Sequence, residues 1–279
     1  MTVLKMVDID EWKKIGEGFR SRSYISNDGY ILLEGVNEKS FETYVKDKRI
    51  LDFLSDRITF TNIPKDIELI SPSHDTLEFG GEKYKGIEGR ILDIDDIHSY
   101  NLDSIAKDLA SFLNELHGID IYEFNRDFKK EEYIKNEKEV VDRNINLLIN
   151  YFDKKRLYDW RDSYFNLLDN TNRFTIVHGD FWYENYIISN DGNRLEGVID
   201  FENCDIGIPV MDFVPLLYIS KDFFKRVLSF YNFSNSFDEY INIFSQRREI
   251  VSYEYITMYC DLDEQKEQRE KIEGVLSIV

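Results

Sequence analysis

The feature that most constrains the fold is a change in residue pattern about one third of the way along the chain. Before Gly86, short apolar segments are punctuated by glycine, as at the predicted hairpin turn Asn27–Gly29. This pattern is typical of antiparallel strands. Two such strands, over residues 76–79 and 83–87, are predicted to meet at a Gly80–Gly81 turn.

After Gly86, most apolar residues recur at helical spacing. Residues 102–117 carry one apolar face and stop at Gly118, a common helix terminator. The two patterns together predict an α+β protein. We expect a small, β-rich lobe over residues 1–86 and a larger, mostly helical lobe over residues 87–279, both of ordinary domain size.

Composition narrows the class of protein. The chain has 279 residues, 42% of them hydrophobic, and a formal net charge of −19 at pH 7. Such a charge argues against a nucleic-acid-binding protein, which needs a basic surface. It suits either a cationic partner or simple solubility. No apolar run reaches the roughly 20 residues of a membrane span, so we expect a cytoplasmic protein without a membrane partner.

Three polar residues follow short apolar segments in the second half of the chain. They are Asp180, Asn185 and Asp200, and the last two flank a predicted hairpin. Strand ends often direct side chains into a cleft. A carboxylate could accept a proton from a hydroxyl group, while carboxylate and amide oxygens suit Mg²⁺ together with phosphate oxygens. The pattern therefore favours phosphoryl transfer, in which positioning and charge neutralisation dominate.

The same residues resemble a known family. The spacing of His178, Gly179, Asp180 and Asn185, followed by the segment 199–202, is similar to the catalytic and metal loops of the aminoglycoside phosphotransferase/choline kinase superfamily. The resemblance covers essentially the whole chain. It implies a bilobal protein-kinase-like fold and a small-molecule kinase that uses Mg²⁺ and ATP or GTP. It also implies that Asp180 is the catalytic base and that Asn185 and Asp200 are the magnesium ligands.

The nucleotide-binding part of the resemblance is less complete. The segment 16–23 resembles a kinase glycine-rich loop, in which Gly18 and the hydroxyl groups of Ser21 and Ser23 would surround the phosphates. Backbone groups near Lys85 and Ile87 would then contact the nucleobase. An ordinary hairpin is the alternative interpretation of the loop.

One charged residue of the family pattern is missing. The family has a lysine on the next strand, paired with a helix glutamate, but this chain has Leu33 there and Asp47 in place of the glutamate. Arg20, Arg22 or Lys46 could supply the positive charge instead. Our working hypothesis is Arg22, and the alternative is that Arg22 is an ordinary exposed arginine.

The acceptor is expected to be a small, cationic molecule. Glu202, Asp205 and Glu254 could bind its amino groups, and Trp182 could stack on it; solvated surface carboxylates are the alternative. Three functions stay open at this point. They are phosphorylation of an aminoglycoside antibiotic, phosphorylation of a cellular alcohol such as choline, a sugar or an amino-alcohol, and binding by a kinase fold with impaired catalysis.

Overall fold

Two units of the chain interleave along the sequence. The computed structural model describes residues 12–18, 20–74, 77–232 and 237–277. The first unit contains the residues up to Gly118 together with His178–Asp205 and Lys225–Tyr231. The second contains Ile119–Val177, Ile206–Phe224 and the residues from Asn232 onward. The architecture is the α+β, kinase-like fold that the sequence predicted.

The first unit begins with an antiparallel sheet that carries one helix between its third and fourth strands. These elements are β1 (Trp12–Glu17), β2 (Ser21–Ser26), β3 (Tyr30–Gly35), α1 (Ser40–Leu54), β4 (Glu68–Ile70) and β5 (Gly81–Lys85). The five strands are hydrogen-bonded in the order β1-β2-β3-β5-β4. The predicted turn at Asn27–Gly29 is confirmed as the β2–β3 connection, and Gly29 has φ 78° there, a value that glycine adopts without steric cost.

The predicted strand over residues 76–79 is wrong. Leu77–Phe79 form a turn, closed by a hydrogen bond from Gly80 N to Leu77 O (3.0 Å); Thr76 lies outside the described residues. Leu77 is fully buried against Leu32 and Ile70. The sequence of this segment resembles a strand because one residue of the turn, Leu77, is an apolar core residue. The next strand is β5, which ends at Lys85 rather than at Ile87.

The rest of the first unit consists of a helix and a small sheet. It contains β6 (Arg90–Ile91), α2 (Leu102–Gly118), β8 (Tyr186–Ile188) and β9 (Leu195–Val198), the strands being ordered β6-β8-β9. The predicted helix over residues 102–117 is confirmed. Phe112 of α2 stacks on Phe181 with 5.6 Å between ring centroids, and it meets Phe201 edge-on at 6.4 Å. Phe112 therefore packs against two segments at once, the one that contains Phe181 and the one that follows β9.

The second unit is mainly helical. Its elements include α3 (Ile121–Phe124), α4 (Lys130–Leu148), α5 (Lys154–Asn170), β7 (Thr175–Val177), β10 (Asp205–Gly207, which begins at the unit border) and α6 (Leu216–Ile219). The helices that follow are α7 (Lys221–Phe230, which belongs to the first unit from Lys225 onward), α8 (Phe237–Tyr259) and α9 (Leu262–Leu276). None of the described helices is both long and apolar enough to cross a bilayer.

A buried ion pair links α4 to α8 in this unit. Arg247 donates to both carboxylate oxygens of Glu137 at 2.7 and 2.9 Å. Tyr164 of α5 donates to the same carboxylate at 2.9 Å. Burial opposes ionisation, but the Arg247 guanidinium and these hydrogen bonds outweigh it and hold the pKa of Glu137 below its usual range.

We expect Glu137→Ala to lower the free energy of unfolding by about 3–5 kcal/mol, because Arg247 is then left buried without its partner. Denaturant unfolding measures this change. The control is Glu139→Ala, since Glu139 lies on the same helix but forms only an exposed pair with Lys135 (3.8 Å). That variant should stay within about 0.5 kcal/mol of the wild type. Equal losses in the two variants would contradict the structural importance of the buried pair.

Candidate active site

The β8–β9 hairpin brings Asn185 and Asp200 to the same end of a sheet. Asn185 immediately precedes β8 and Asp200 follows β9, and the strands run antiparallel with Tyr186 opposite Val198. A further backbone hydrogen bond from Ile199 N to Asn185 O (3.0 Å) extends the pairing past the strand ends. The adjacency expected from the sequence is therefore a direct consequence of the hairpin register.

The orientation of the Asn185 side chain leaves its amide oxygen available. Its Nδ2 donates to the backbone oxygen of Asp180 at 2.8 Å, and the residue is only 9% exposed. An amide that donates through nitrogen presents its oxygen in another direction. The same hydrogen bond connects the backbone of Asp180 to Asn185, so these two residues are positioned together.

His178 and Gly179 hold the loop that carries Asp180. The His178 ring is fully buried, and its Nε2 lies 3.0 Å from Ile199 O and its centroid 4.6 Å from that of Phe201. Gly179 has φ 81°, and a Cβ there would lie 2.3 Å from Asn203 O. Only glycine fits such a close backbone approach. Both residues therefore have structural roles that keep the Asp180 loop against the segment containing Asp200.

Asp200 has unusual backbone and charge properties. Its φ is 67°, a left-handed conformation that residues other than glycine seldom adopt and that often occurs at functional sites. The residue is exposed to solvent, but neighbouring protein atoms replace part of the water around its carboxylate. This surrounding protein, together with the negative charges of Glu202 and Asp180, raises the pKa of Asp200 to about 6. A bound cation would relieve this repulsion.

The residues present fit a sparsely ligated magnesium ion. Asn185 offers an amide oxygen, and Asp200 offers a carboxylate in a region of surplus negative charge. Mg²⁺ often takes one or two protein oxygens and completes its shell with water and phosphate. Within the described residues, no group of three or more His, Cys, Asp or Glu side chains could enclose a metal.

A buried pair of carboxyl groups joins α1 to β5. Asp47 is 8% and Glu82 is 1% exposed, and each has a buried side-chain oxygen without a hydrogen-bond partner among the described residues. Burial, followed by the charge of Asp47, raises the pKa of Glu82; burial, followed by the charges of Asp200 and Glu202, raises that of Asp47. The pair therefore retains a proton at a pH well above that at which carboxyl groups usually ionise. Leu33 lies directly opposite Glu82 in the β3–β5 register.

The raised pKa of Glu82 predicts a pH-dependent stability. Between the ordinary glutamate pKa of about 4.3 and the raised one, the folded protein binds more protons than the unfolded chain. The free energy of unfolding should therefore fall as the pH rises through this range. Glu82→Gln should remove part of the fall, by about 1 kcal/mol or more between pH 5 and 8.

Thermal unfolding across this pH range measures the effect. Glu78→Gln is the matched control, because Glu78 is exposed in the turn before β5, and its pH profile should match that of the wild type. A Glu82→Gln profile parallel to the wild-type profile would contradict the retained proton.

The glycine-rich segment forms the β1–β2 turn, where Gly18 N donates to Ser21 O at 2.8 Å. Ser23 pairs with Leu33, and Leu33 pairs with Glu82. Because side chains alternate along a strand, Ser21, Ser23, Leu33 and Glu82 share one face of the sheet. Arg22 belongs to the opposite face.

On that opposite face, Arg22 interacts with two acidic residues. Its Nε donates to Glu17 at 3.2 Å, and its Nη1 lies 3.6 Å from a carboxylate oxygen of Glu34. Arg22 is thus part of a cross-strand charge network. This placement favours the alternative interpretation of Arg22, as an arginine that does not serve the phosphates.

Two other cations contact Glu202, two residues after Asp200. Arg20 Nη1 donates to Glu202 Oε1 at 2.8 Å, and Lys46 Nζ donates to the backbone oxygen of Glu202 at 2.9 Å. Both were among the sequence candidates for the missing positive charge. The expected acceptor-binding residue Glu202 is therefore engaged with basic residues of the first unit.

Lys85 is the last residue of β5, and Ile87 lies in the connection between β5 and β6. Lys85 Nζ donates to Asp28 O at the β2–β3 turn and lies 4.9 Å from the Tyr30 ring centroid. Ile87 packs against Gly197 of β9, where an added Cβ would lie 2.6 Å from its Cδ1. The Lys85 side chain thus contacts the β2–β3 turn and the Ile87 side chain packs on β9. A nucleobase contact through the backbone of this segment stays a prediction.

The remaining candidate acceptor residues belong to two different units of the chain. Trp182 packs edge-on against Tyr183, with 5.7 Å between ring centroids, and Asp205 is exposed at the start of β10. Glu254 belongs to the second unit, where Arg143 donates to it at 3.2 Å. The structure therefore places Glu202, Asp205 and Trp182 in the first unit and Glu254 on α8 of the second.

Comparison with known proteins gives consistent matches. A family model described as "Phosphotransferase enzyme family" matches residues 11–240. The GDP complex of wild-type aminoglycoside 2'-phosphotransferase-IIIa is 20% identical, covers 95% of this chain and 92% of its own, and superposes with a TM-score of 0.80. The streptomycin–ATP ternary complex of APH(2")-IIa is also 20% identical, with coverages of 96% and 93% and a TM-score of 0.71. Macrolide 2'-phosphotransferase type I is 14% identical, with coverages of 94% and 90% and a TM-score of 0.68.

Proposed function

Because the chain belongs to the phosphotransferase enzyme family and is a small-molecule kinase with a hydroxyl acceptor, we propose that it phosphorylates an aminoglycoside-like polyamine sugar. The phosphate donor is ATP or GTP. The observation that carries this proposal is the convergence of Asp180, Asn185 and Asp200 at one end of the β8–β9 hairpin. These groups provide the functions that phosphoryl transfer requires, namely proton acceptance and charge neutralisation.

In this mechanism Asp180 accepts the hydroxyl proton of the acceptor as the hydroxyl oxygen bonds to the γ-phosphorus. The bond between the γ-phosphorus and the bridging oxygen breaks, and the nucleoside diphosphate leaves. The backbone of Asp180 is fixed by the Asn185 side chain and by Trp182 N, which donates to Asp180 O at 2.9 Å. This fixed loop orients the carboxylate. Asn185 and Asp200 would hold magnesium, which when bound neutralises charge on the phosphates.

Charge supports a polycationic acceptor. The chain has a net charge of −19, and the exposed Asp205 follows shortly after the proposed metal ligand Asp200. A negative cleft attracts cationic substrates. Three of the similar structures are complexes with aminoglycosides, namely kanamycin, gentamicin and streptomycin. A macrolide is the second candidate, because macrolide 2'-phosphotransferase type I shares the fold.

The test is nucleotide turnover with purified protein and Mg²⁺, using ATP and GTP separately. Acceptors are tested singly: kanamycin-like and gentamicin-like aminoglycosides, a macrolide, choline and simple sugars. We expect turnover to depend on an aminoglycoside and to produce one phosphorylated product by mass spectrometry. Turnover only with the macrolide or with a cellular alcohol would contradict the proposed acceptor. No magnesium-dependent turnover with any acceptor would favour a binding protein instead.

A further inference from the structure

The described residues around the proposed phosphate site contain an excess of acidic groups. Asp47 of α1 and Glu82 of β5 are buried, and both lie close enough to Asp200 and Glu202 to be repelled by their negative charges. A nucleoside triphosphate is itself strongly anionic. Magnesium alone would leave its oxygens close to unbalanced carboxylates, so further positive charge has to come from side chains.

We propose that Arg20 and Lys46 together bind the phosphates of the nucleotide, through donors anchored on Glu202. This inference rests on the proposed nucleotide-dependent function. It assigns the role to one residue at the tip of the glycine-rich segment and one on α1. It does not assign it to Arg22, our hypothesis from the sequence.

The backbone of Arg20 is held in place at the start of α1. Its carbonyl oxygen accepts hydrogen bonds from Ser40 Oγ at 2.8 Å and from Val36 N at 3.2 Å. Ser40 is the first residue of α1 and is 1% exposed. Arg20 therefore projects from an anchored part of the turn rather than from an unsupported loop, which reduces the entropy lost when it binds a ligand.

Lys46 reaches the same place from α1. It lies next to Asp47, and its Nζ donates to the backbone oxygen of Glu202. The positive charge of Lys46 is thus near the carboxylates that raise the pKa of Asp47, and it partly offsets their effect. One helix therefore positions both cations, Arg20 through Ser40 and Lys46 directly.

Glu202 holds both cations without saturating them. Arg20 donates one N–H to the carboxylate, and Lys46 donates one to the backbone oxygen. A guanidinium group has five N–H donors and an ammonium group has three, so each can donate further bonds to phosphate oxygens. Since Glu202 is two residues from Asp200, these donors lie beside the proposed magnesium ligand, where the phosphates would bridge ion and side chains.

The other candidates are directed elsewhere. Arg22 is on the opposite face of the sheet from Ser23 and pairs with Glu17 and Glu34. Lys85 donates to the β2–β3 turn. The strand position that faces Glu82 is occupied by Leu33, which has no charge.

The experiment measures binding of a magnesium-bound, non-hydrolysable ATP or GTP analogue by calorimetry. We expect Arg20→Ala and Lys46→Ala each to raise Kd by about 10- to 100-fold, because each removes charge-assisted hydrogen bonds. Arg20→Lys should recover part of the affinity. Binding by both alanine variants should also depend less on salt concentration, since fewer charged contacts form.

Lys48→Ala is the matched control. Lys48 is on α1 like Lys46, but it pairs with Asp52 at 2.8 Å, and its loss should change Kd by less than about twofold. Thermal unfolding confirms that all variants fold. Wild-type affinity in both Arg20→Ala and Lys46→Ala would overturn the inference, as would a loss confined to Arg22→Ala. If the wild-type protein itself binds neither analogue, the proposed function fails instead, so the two failures are distinguishable.

Discussion

Asp180→Asn lowers the rate of phosphoryl transfer by about 10²- to 10⁴-fold, the usual contribution of a positioned general base, while nucleotide affinity stays close to that of the wild type. The amide cannot accept the hydroxyl proton, but it has the same shape as the carboxylate. The hydrogen bonds that fix this loop use the backbone oxygen of Asp180, which the substitution retains. The loss should therefore appear in kcat rather than in nucleotide binding.

Steady-state kinetics with the best acceptor of the screen measures this effect, and calorimetry measures nucleotide affinity. Asp191→Asn is the control, because it makes the same chemical change at the other end of the β8–β9 hairpin. Asp191 accepts a hydrogen bond from Asn193 N at 3.2 Å in the turn. Its variant should retain wild-type turnover. A wild-type rate in Asp180→Asn would remove Asp180 from the mechanism.

Asp200→Asn has the second large effect, and it acts through magnesium. We expect kcat/KM to fall by at least about 100-fold, because the metal supplies several kcal/mol of charge stabilisation in the transition state. The Mg²⁺ concentration required for half-maximal activity should also rise. Asparagine is chosen over alanine because it tolerates the left-handed φ of 67° at this position, so the backbone is preserved.

A magnesium titration of activity separates this role from a structural one. A variant that only misfolds would lose activity at every Mg²⁺ concentration and would show a lower melting temperature. A variant that has lost only a magnesium ligand should fold normally and should regain activity as the Mg²⁺ concentration is raised. An unchanged magnesium dependence in a folded, active Asp200→Asn protein would contradict the assignment of this ligand.

The adjacency of Asn185 and Asp200 could be predicted from the sequence because these residues are close along the chain. Asn185 and Asp200 flank two strands of one hairpin, and antiparallel pairing fixes their proximity once the strands are recognised. The helix over residues 102–117 was equally clear, since its apolar face and terminal glycine are local signals. These parts of the fold depend on short-range patterns.

The sequence did not reveal contacts that depend on strand register. The buried partner of Asp47 is Glu82, which lies far along the chain and faces Leu33 only through the β3–β5 pairing. The position of Glu82 could be predicted from the sequence only if β3 and β5 were already paired with Leu33 opposite Glu82. A charged residue within the short strand 81–85 is a weak signal, because such residues are usually exposed.

The sequence-based choice of Arg22 rather than Arg20 was made without knowing which face of the sheet each side chain would occupy. A shift of one residue moves every side chain to the other face of a sheet, and the pattern of the glycine-rich segment did not define where β2 begins. In the structure, β2 begins at Ser21. The side chain of Arg22 therefore lies on the opposite face of the sheet from that of Ser23, and Arg20 lies in the β1–β2 turn. The contacts of Arg20 with Ser40 and Glu202 are long-range and become visible only in the folded chain.

A crystal structure of the protein with Mg²⁺ and a non-hydrolysable triphosphate tests the central claim most directly. The account predicts one magnesium ion in contact with the amide oxygen of Asn185 and the carboxylate of Asp200, and bridged to the phosphates. The carboxylate of Asp180 should then face the γ-phosphate across the space for an acceptor hydroxyl. An ion and nucleotide bound away from Asn185 and Asp200 would contradict the account.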